Sequence, residues 1–161
     1  MKIAVTGFAG SGKSYLSEEL SKKLNIPVLH LDHVKYTKEW KPIDDSEVLP
    51  KVEKFMENES WIIDGYYDYL LWERRFEEAD KIILLLLPRL TCLISALSRT
   101  KGRRKRGYKN DMNLWFFRFI LVGCRSRERM DKYAELENKY KDKTVVLRTR
   151  REVKEYLKTT E

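Results

Sequence analysis

The chain has 161 residues, which suits one domain with a full hydrophobic core and is too short for two domains of ordinary size. Thirty-three Lys and Arg residues against 25 Asp and Glu residues give a formal net charge of +8, which favours anionic partners such as nucleotides or nucleic acid without choosing between them. The longest apolar run stops at Pro88, and Cys92 and Cys124 lack metal-ligand spacing, so we expect a cytoplasmic protein with no signal peptide, membrane span or zinc site.

The first predicted strand, residues 2–6, leads into a glycine-rich segment that matches G-x-x-x-x-G-K-[ST] at every fixed position. The segment reads Gly7-Phe8-Ala9-Gly10-Ser11-Gly12-Lys13-Ser14. Leu16, Leu20 and Leu24 follow at helical spacing, so the segment joins a strand to a helix. Because this is the context in which the motif binds a polyphosphate, we predict a P-loop that binds a nucleotide polyphosphate.

The residue types of this loop suit phosphate binding. Glycines allow a tight turn in which backbone N–H groups converge, and the helix N-terminus adds further donors. Lys13 is predicted to reach the β- and γ-phosphates, and the Ser14 hydroxyl to ligate Mg²⁺. The predicted nucleotide-binding residues are Gly7, Ala9, Gly10, Ser11, Gly12, Lys13, Ser14, Tyr15, Arg99 and Arg103.

Strands and helices alternate along the rest of the chain. Further strands are predicted at residues 28–32, 61–65, 81–87 and 144–148, and helices at about 46–56, 69–79, 89–97, 123–140 and 152–158. The polar stretch 33–42 is predicted to be a loop. This alternation predicts an α/β fold in which helices cover both faces of a parallel sheet.

Two aspartates end predicted strands, and ligands of parallel sheets bind at the carboxyl edge of the strands. Asp32 is our first candidate to orient or deprotonate an acceptor hydroxyl, and Asp64 is the second, as an acceptor-binding or metal-linked carboxylate. The alternative for both is a helix cap or a turn-stabilising aspartate. Tyr66 is predicted to bind the acceptor, and the pocket is expected to draw also on Tyr36, Trp40 and Tyr67. His30 and His33 are predicted to be structural.

A basic segment follows the fourth predicted strand. Seven Lys or Arg residues and no acidic residue occur between Arg99 and Lys109, and such a concentration of charge favours a bound anion. Arg99 and Arg103 have the i, i+4 spacing that places both on one helix face. We therefore predict that Arg103 and Arg106 act on the transferring phosphoryl group. The alternative is a solvated charged surface, and Arg89 and Arg125 are weaker candidates.

The apolar segment 114–122 admits three interpretations. Trp115, Phe116, Phe117 and Phe119 could belong to an acceptor pocket, to a dimer face or to a helix buried against the sheet. Nearly unbroken apolar runs are typical of buried helices, which favours the last interpretation.

Several stretches carry a family resemblance. They are the P-loop, Leu29-His30-Leu31-Asp32, Trp61-Ile62-Ile63-Asp64-Gly65-Tyr66, Pro88-Arg89, the arginine-rich segment ending in Asp111-Met112, and Val146-Leu147-Arg148 with Arg151-Glu152-Val153. The chain resembles the adenylate-kinase-like group of small P-loop nucleotide kinases and, more narrowly, the DNA topology modulation protein (FlaR-like) family. The resemblance implies one domain over residues 1–161, a three-layer fold with a five-stranded parallel sheet, ATP as phosphate donor, and a short arginine-bearing lid at about 99–113.

One departure from relatives affects the predicted metal site. Their fourth strand often has an acidic residue before its proline, whereas here Leu86 and Leu87 precede Pro88. Mg²⁺ is then expected to be held by Ser14, phosphate oxygens and waters, with Asp32 in the outer shell.

Three functions are compatible with these features. The first is an ATP-dependent kinase for a small molecule of nucleoside or nucleotide type. The second is a nucleic-acid-associated ATP-binding protein, which the charge of +8 motivates but which no recognisable nucleic-acid-binding module supports. The third is a nucleotide-binding regulator without turnover. The sequence predicts neither the acceptor nor the oligomeric state.

Overall fold

Five short strands form one parallel sheet in the computed structural model, which describes residues 1–37, 39, 41–105 and 114–160, with the backbone alone for 100–105 and 114. The strands are β1 Lys2–Gly7, β2 Val28–His30, β3 Trp61–Asp64, β4 Lys81–Leu85 and β5 Thr144–Leu147. Their order is β2-β3-β1-β4-β5, and every pairing is parallel. The predicted α/β fold with a five-stranded parallel sheet is confirmed, and β1 lies at its centre.

Eight α-helices are described beside these strands. They are α1 Lys13–Leu24, α2 Leu31–Lys35, α3 Asp45–Met56, α4 Trp72–Glu78, α5 Arg89–Lys105, α6 Leu114–Leu121, α7 Arg127–Lys139 and α8 Arg150–Thr159. Local sequence signals explain where α1 ends and where α8 begins. Asn25 ends α1 in the left-handed conformation, with φ of 53°. A capping box begins α8, where Thr149 and Glu152 satisfy each other's backbone N–H groups.

The core lies on both faces of the sheet. Ile3 and Val5 of β1 point into one layer with Leu16 of α1, whereas Ala4 points into the other layer with Val52 of α3. Alternation along a strand therefore supplies both layers, as a sheet covered on both faces requires. Burying each larger aliphatic side chain contributes about 1.5–3 kcal/mol.

The predicted strand 28–32 and loop 33–42 differ from the structure. The strand ends at His30, and the short helix α2 begins at Leu31. Leu31 is fully buried and lies against Gly65, where an added Cβ would come within 2.8 Å of the Leu31 side chain. Packing of this leucine therefore turns the chain earlier than the apolar pattern predicts, and Asp32 lies in the first turn of a helix.

The basic segment begins within a helix. Helix α5 continues through Arg99 and the backbone of Arg103 to Lys105. Residues 106–113 lie outside the described part of the chain, and with them the predicted role of Arg106 and the rest of the predicted lid. No helix in the described ranges is long and apolar enough to cross a membrane.

Helix α6 is amphipathic and not wholly buried. Ile120 is buried, Phe116 and Phe119 pack against the core, and Trp115 is exposed and stacks on Phe119 with 5.5 Å between ring centroids. The helix is thus buried on one face only.

Candidate functional site at the carboxyl edge of the sheet

The glycine-rich loop connects the end of β1 to the start of α1. Gly7 has φ of 135°, and an added Cβ would lie 2.2 Å from the carbonyl oxygen of Leu85. Gly12 has φ of 94°, and nothing lies within 4 Å of the corresponding position. The first glycine lets the loop pack against β4, whereas the space beside the last is open to a ligand.

Lys13 folds back over this loop. Its Nζ donates a hydrogen bond to the carbonyl oxygen of Phe8 at 2.9 Å. Burial lowers the pKa of Lys13, and the negative charges of Asp64 and Asp32 oppose that effect. The P-loop lysine therefore lies within the electrostatic reach of both predicted aspartates, as their positions at one sheet edge imply.

Two other predicted phosphate-binding residues lie in the first turn of α1. Ser14 is partly buried, and Tyr15 is 58% exposed, which leaves its ring accessible to a nucleotide.

Asp64 ends β3 and is bound to a histidine. It is 3% exposed, and its Oδ2 lies 2.6 Å from Nδ1 of His30, the residue opposite it on β2. The hydrogen bond to Asp64 raises the pKa of His30. His30 Nε2 also lies 3.8 Å from Glu18. His30, predicted to be structural, therefore fixes one of the candidate site carboxylates.

Asp32 is exposed at the start of α2 and contacts a tyrosine. Its Oδ1 accepts a hydrogen bond from the Tyr67 hydroxyl at 2.6 Å. Burial is the main cause that raises the pKa of Tyr67, and the neighbouring charge of Asp32 adds to it. The two partners are 35 positions apart, so no local pattern in the sequence could have joined them.

A buried arginine shapes the loop that presents Tyr67. Arg75 of α4 is 1% exposed, and it donates hydrogen bonds to the carbonyl oxygens of Gly65 at 3.4 Å, Tyr66 at 3.0 Å and Tyr67 at 2.9 Å. Burial lowers the pKa of Arg75 to about 9. In the sequence this residue is one basic position beside several acidic ones, and nothing there predicts that it binds backbone carbonyls.

Tyr66, the predicted acceptor-binding tyrosine, points into an aromatic cluster. Its ring centroid is 5.0 Å from that of Trp72 and 5.7 Å from that of Tyr133, and the Arg129 guanidinium lies 3.9 Å above the ring. Tyr67, and not Tyr66, is thus the tyrosine that reaches Asp32.

Arg125 joins the chain after α6 to the P-loop. Its guanidinium lies 3.9 Å from the ring centroid of Phe8 and donates to the carbonyl oxygens of Leu87 at 2.8 Å and Ile120 at 2.6 Å. Arg125 is only a weak candidate for a site residue in the sequence, and Arg129 is not a candidate, because neither residue belongs to a motif.

A cavity of about 310 Å³ opens between the start of α5 and the start of α8. It is lined by Pro88, Thr91, Ile94, Thr149 and Arg150. Arg150 also donates to the Ser95 hydroxyl at 2.5 Å, which ties the two helices together. Arg99 lies further along α5 with an exposed side chain.

The described side chains suit a metal ion that a nucleotide brings with it. No three His, Cys, Asp or Glu residues among them form a group that would hold a metal ion. A hydroxyl at Ser14 and carboxylates at the same sheet edge fit Mg²⁺, which keeps several waters and takes few protein ligands.

Comparison with known proteins identifies the fold. No family model and no curated protein matches the sequence. Solved structures that match 98% of this chain include a gluconokinase from Sinorhizobium meliloti 1021, with 16% identity, a TM-score of 0.56 and 87% of its chain covered. They also include a deoxyadenosine kinase from M. mycoides (17% identity, TM-score 0.57, 95% of its chain covered) and a shikimate kinase from Bacteroides thetaiotaomicron (17% identity, TM-score 0.53, 94% of its chain covered). At these identities the likeness shows a P-loop kinase-like fold and nothing narrower.

Proposed function

We propose that this chain is an ATP-dependent phosphotransferase that transfers the γ-phosphoryl group to a small acceptor of nucleoside or nucleotide type. The observation that carries the proposal is that the P-loop with Lys13 follows β1 at the same edge of the sheet where Asp64 ends β3 and Asp32 follows β2. A glycine-rich loop alone binds a polyphosphate, whereas a carboxylate within the electrostatic reach of its lysine adds a group that can act on an acceptor. The three kinases of like fold add support.

The donor would bind along the loop and the neighbouring cavity. The phosphates would meet the loop N–H groups from Gly7 to Tyr15, and Lys13 Nζ would exchange the Phe8 carbonyl oxygen for phosphate oxygens. The base would occupy the cavity between α5 and α8, beside Ile94. We propose that Arg99, Arg103 and Arg106 stabilise the charge on the transferring group, as the basic segment predicts.

The metal would be held by few protein groups. Mg²⁺, when bound, neutralises charge on the β- and γ-phosphate oxygens. Ser14 would ligate it directly, and Asp32 would act from the outer shell. Because β3 neighbours β1 whereas β2 does not, Asp64 is a second outer-shell candidate.

Asp32 would accept the proton of the acceptor hydroxyl. As the acceptor oxygen forms its bond to the γ-phosphorus, the bond from that phosphorus to the β–γ bridging oxygen breaks and ADP leaves. The hydroxyl proton passes to the Asp32 carboxylate and from there to water. Asp32 is exposed, so solvent can take up this proton.

We also propose that the chain belongs to the FlaR-like family, on the basis of the P-loop and the other sequence stretches that resemble that family. Neither the label of that family nor the positive charge favours a nucleic-acid function over a small-molecule kinase, since a basic lid accounts for much of the charge.

Replacing the P-loop lysine tests the proposal. In Lys13→Ala, ADP formation from ATP and Mg²⁺ with a panel of nucleosides, nucleotides and small hydroxy acids should fall about 100-fold or more. Lys22→Ala is the matched control, because Lys22 lies on the same helix and is exposed and paired with Glu19. If Lys13→Ala binds ATP and turns over like the parent, the proposed function is wrong.

A further inference from the structure

We infer that the phosphoryl acceptor presents a neutral hydroxyl, not a phosphate, to this site, and that Tyr67 occupies the position of that hydroxyl at Asp32 until the acceptor binds. The inference rests on the proposed function and narrows its acceptor to alcohols. It is drawn from the hydrogen bonding and the charges at the ends of β2 and β3.

The contact between Asp32 and Tyr67 shows which chemical group this carboxylate takes. Asp32 Oδ1 accepts the Tyr67 hydroxyl at 2.6 Å, a length typical of O–H donors to a charged oxygen. An alcohol offers the same single O–H donor. Because Asp32 is exposed, an acceptor can reach this carboxylate from solvent.

The charges at this edge disfavour a phosphate acceptor. Asp32 carries an exposed carboxylate here, and Asp64, which is bound to His30, ends the neighbouring strand. A phosphate monoester is close to a dianion at neutral pH. A dianion has no O–H group to donate to Asp32, and the negative charge of that carboxylate repels it. An alcohol adds no charge and avoids this repulsion.

Basic side chains near these strand ends are engaged with protein groups. His30 is bound to Asp64, Lys35 donates to the Ile43 carbonyl oxygen at 2.8 Å and to Asp45 at 2.5 Å, and Arg75 donates to three loop carbonyls. Arg129 covers the Tyr66 ring. At these four side chains a phosphate acceptor would have to displace an existing contact, whereas an alcohol needs only the Tyr67 hydroxyl to move.

The loop behind Tyr67 also suits an exchange of partners. Tyr67 has φ of 21°, a sparsely populated value for a residue other than glycine, and the Arg75 hydrogen bonds hold it. The Arg75 hydrogen bonds thereby hold the backbone, while the Tyr67 hydroxyl can exchange its partner at Asp32.

Paired acceptors test the inference directly. Adenosine and AMP, cytidine and CMP, and thymidine and its 5′-monophosphate are each assayed with ATP and Mg²⁺, and the phosphorylated products are identified by mass. We expect kcat/KM for at least one nucleoside to exceed that of its monophosphate by about tenfold or more. A preference for the monophosphates would overturn the inference and leave the proposed kinase function standing. Absence of transfer to all members, with ATP bound, would overturn the proposed function and with it this inference.

A variant of Tyr67 tests whether its hydroxyl competes with the acceptor at Asp32. In Tyr67→Phe the acceptor no longer competes with the phenol, so the KM of the acceptor should fall severalfold while the KM of ATP stays unchanged. Tyr69→Phe is the control, since that ring is 50% exposed and packs edge-on against Tyr67. An acceptor KM that is the same in Tyr67→Phe as in the parent would overturn the proposed exchange at Asp32.

Discussion

Gly7 and Gly12 are the first and last glycines of the P-loop, and their different surroundings predict that substitution of Gly7 affects mainly stability whereas substitution of Gly12 affects mainly nucleotide binding. Both have a positive φ, so a side chain at either position costs about 1 kcal/mol. At Gly7 the added carbon would also meet the Leu85 carbonyl oxygen at 2.2 Å, whereas at Gly12 it would meet open space. Gly7→Ala should therefore lower the free energy of unfolding by about 3 kcal/mol or more.

Gly12→Ala should instead lower the free energy of unfolding by only about 1 kcal/mol and weaken ATP binding about tenfold or more, since the methyl group would stand where phosphate approaches the loop. Urea denaturation and titration calorimetry with ATP measure the two quantities. Equal destabilisation by the two substitutions would contradict the packing described here.

The pair of His30 and Asp64 predicts a pH dependence of stability. The hydrogen bond to Asp64 raises the pKa of His30 above its unfolded value. Its contribution to stability is therefore complete below about pH 6.5 and is lost as the pH rises through the folded pKa. We expect the free energy of unfolding of the nucleotide-free protein to decline over this range in the parent and to decline less in His30→Gln.

Urea denaturation between about pH 6 and about pH 9 measures this difference. His33→Gln is the control, because His33 is exposed and contacts His30 only edge-on, at 5.0 Å between ring centroids. The same decline in His30→Gln as in the parent would mean that the pair does not titrate as a unit.

The conformation of the segment between β3 and α4 depends on hydrogen bonds from Arg75. Three carbonyl oxygens, those of Gly65, Tyr66 and Tyr67, share its guanidinium, and the group is buried. Arg75→Met leaves these carbonyls without that donor, so the free energy of unfolding should fall by about 3 kcal/mol. Amide hydrogen exchange over residues 68–71 should become faster at the same time.

Arg74→Met is the matched control for the segment. Arg74 is the neighbouring residue and makes an exposed pair with Glu78 at 2.7 Å, which contributes little in water. Hydrogen exchange in α8, on another part of the molecule, should be unchanged in both variants. Unchanged exchange at 68–71 in Arg75→Met would show that the segment holds its shape without the arginine.

Across the whole molecule, the donor side could be predicted from the sequence because it depends on contiguous residues. The loop from Gly7 to Ser14 uses backbone geometry at fixed spacing, and β1, the loop and α1 lie where that spacing predicts. The sheet could be predicted because its strands are short apolar runs between helices. The start of α2 could not be predicted, since burial of Leu31 against Gly65 decides it.

The acceptor side could be predicted only in part, because its contacts join distant positions. Asp32 and Asp64 could be placed at the same edge from the strand pattern. Their partners could not be: His30 and Asp64 are 34 positions apart, and Tyr67 is 35 positions from Asp32. Arg75 gives no signal in the sequence, because an arginine that binds carbonyls looks like any other in a charged helix.

The net charge of +8 gives a last prediction, which separates nucleotide capture from nucleic-acid binding. A duplex bound through about five phosphate contacts should lose more than tenfold in affinity between about 50 and about 200 mM salt, because each contact releases counterions. ATP held by the N–H groups of an enclosed loop should lose less than about threefold over the same range. Fluorescence anisotropy with a labelled duplex and titration calorimetry with ATP measure the two responses. Because a duplex would be held by contacts to exposed charges whereas the P-loop is one pocket, we expect micromolar or weaker duplex binding that disappears at high salt while ATP binding persists. Duplex binding that survives at about 200 mM salt, and is competed by ATP, would instead favour the nucleic-acid function.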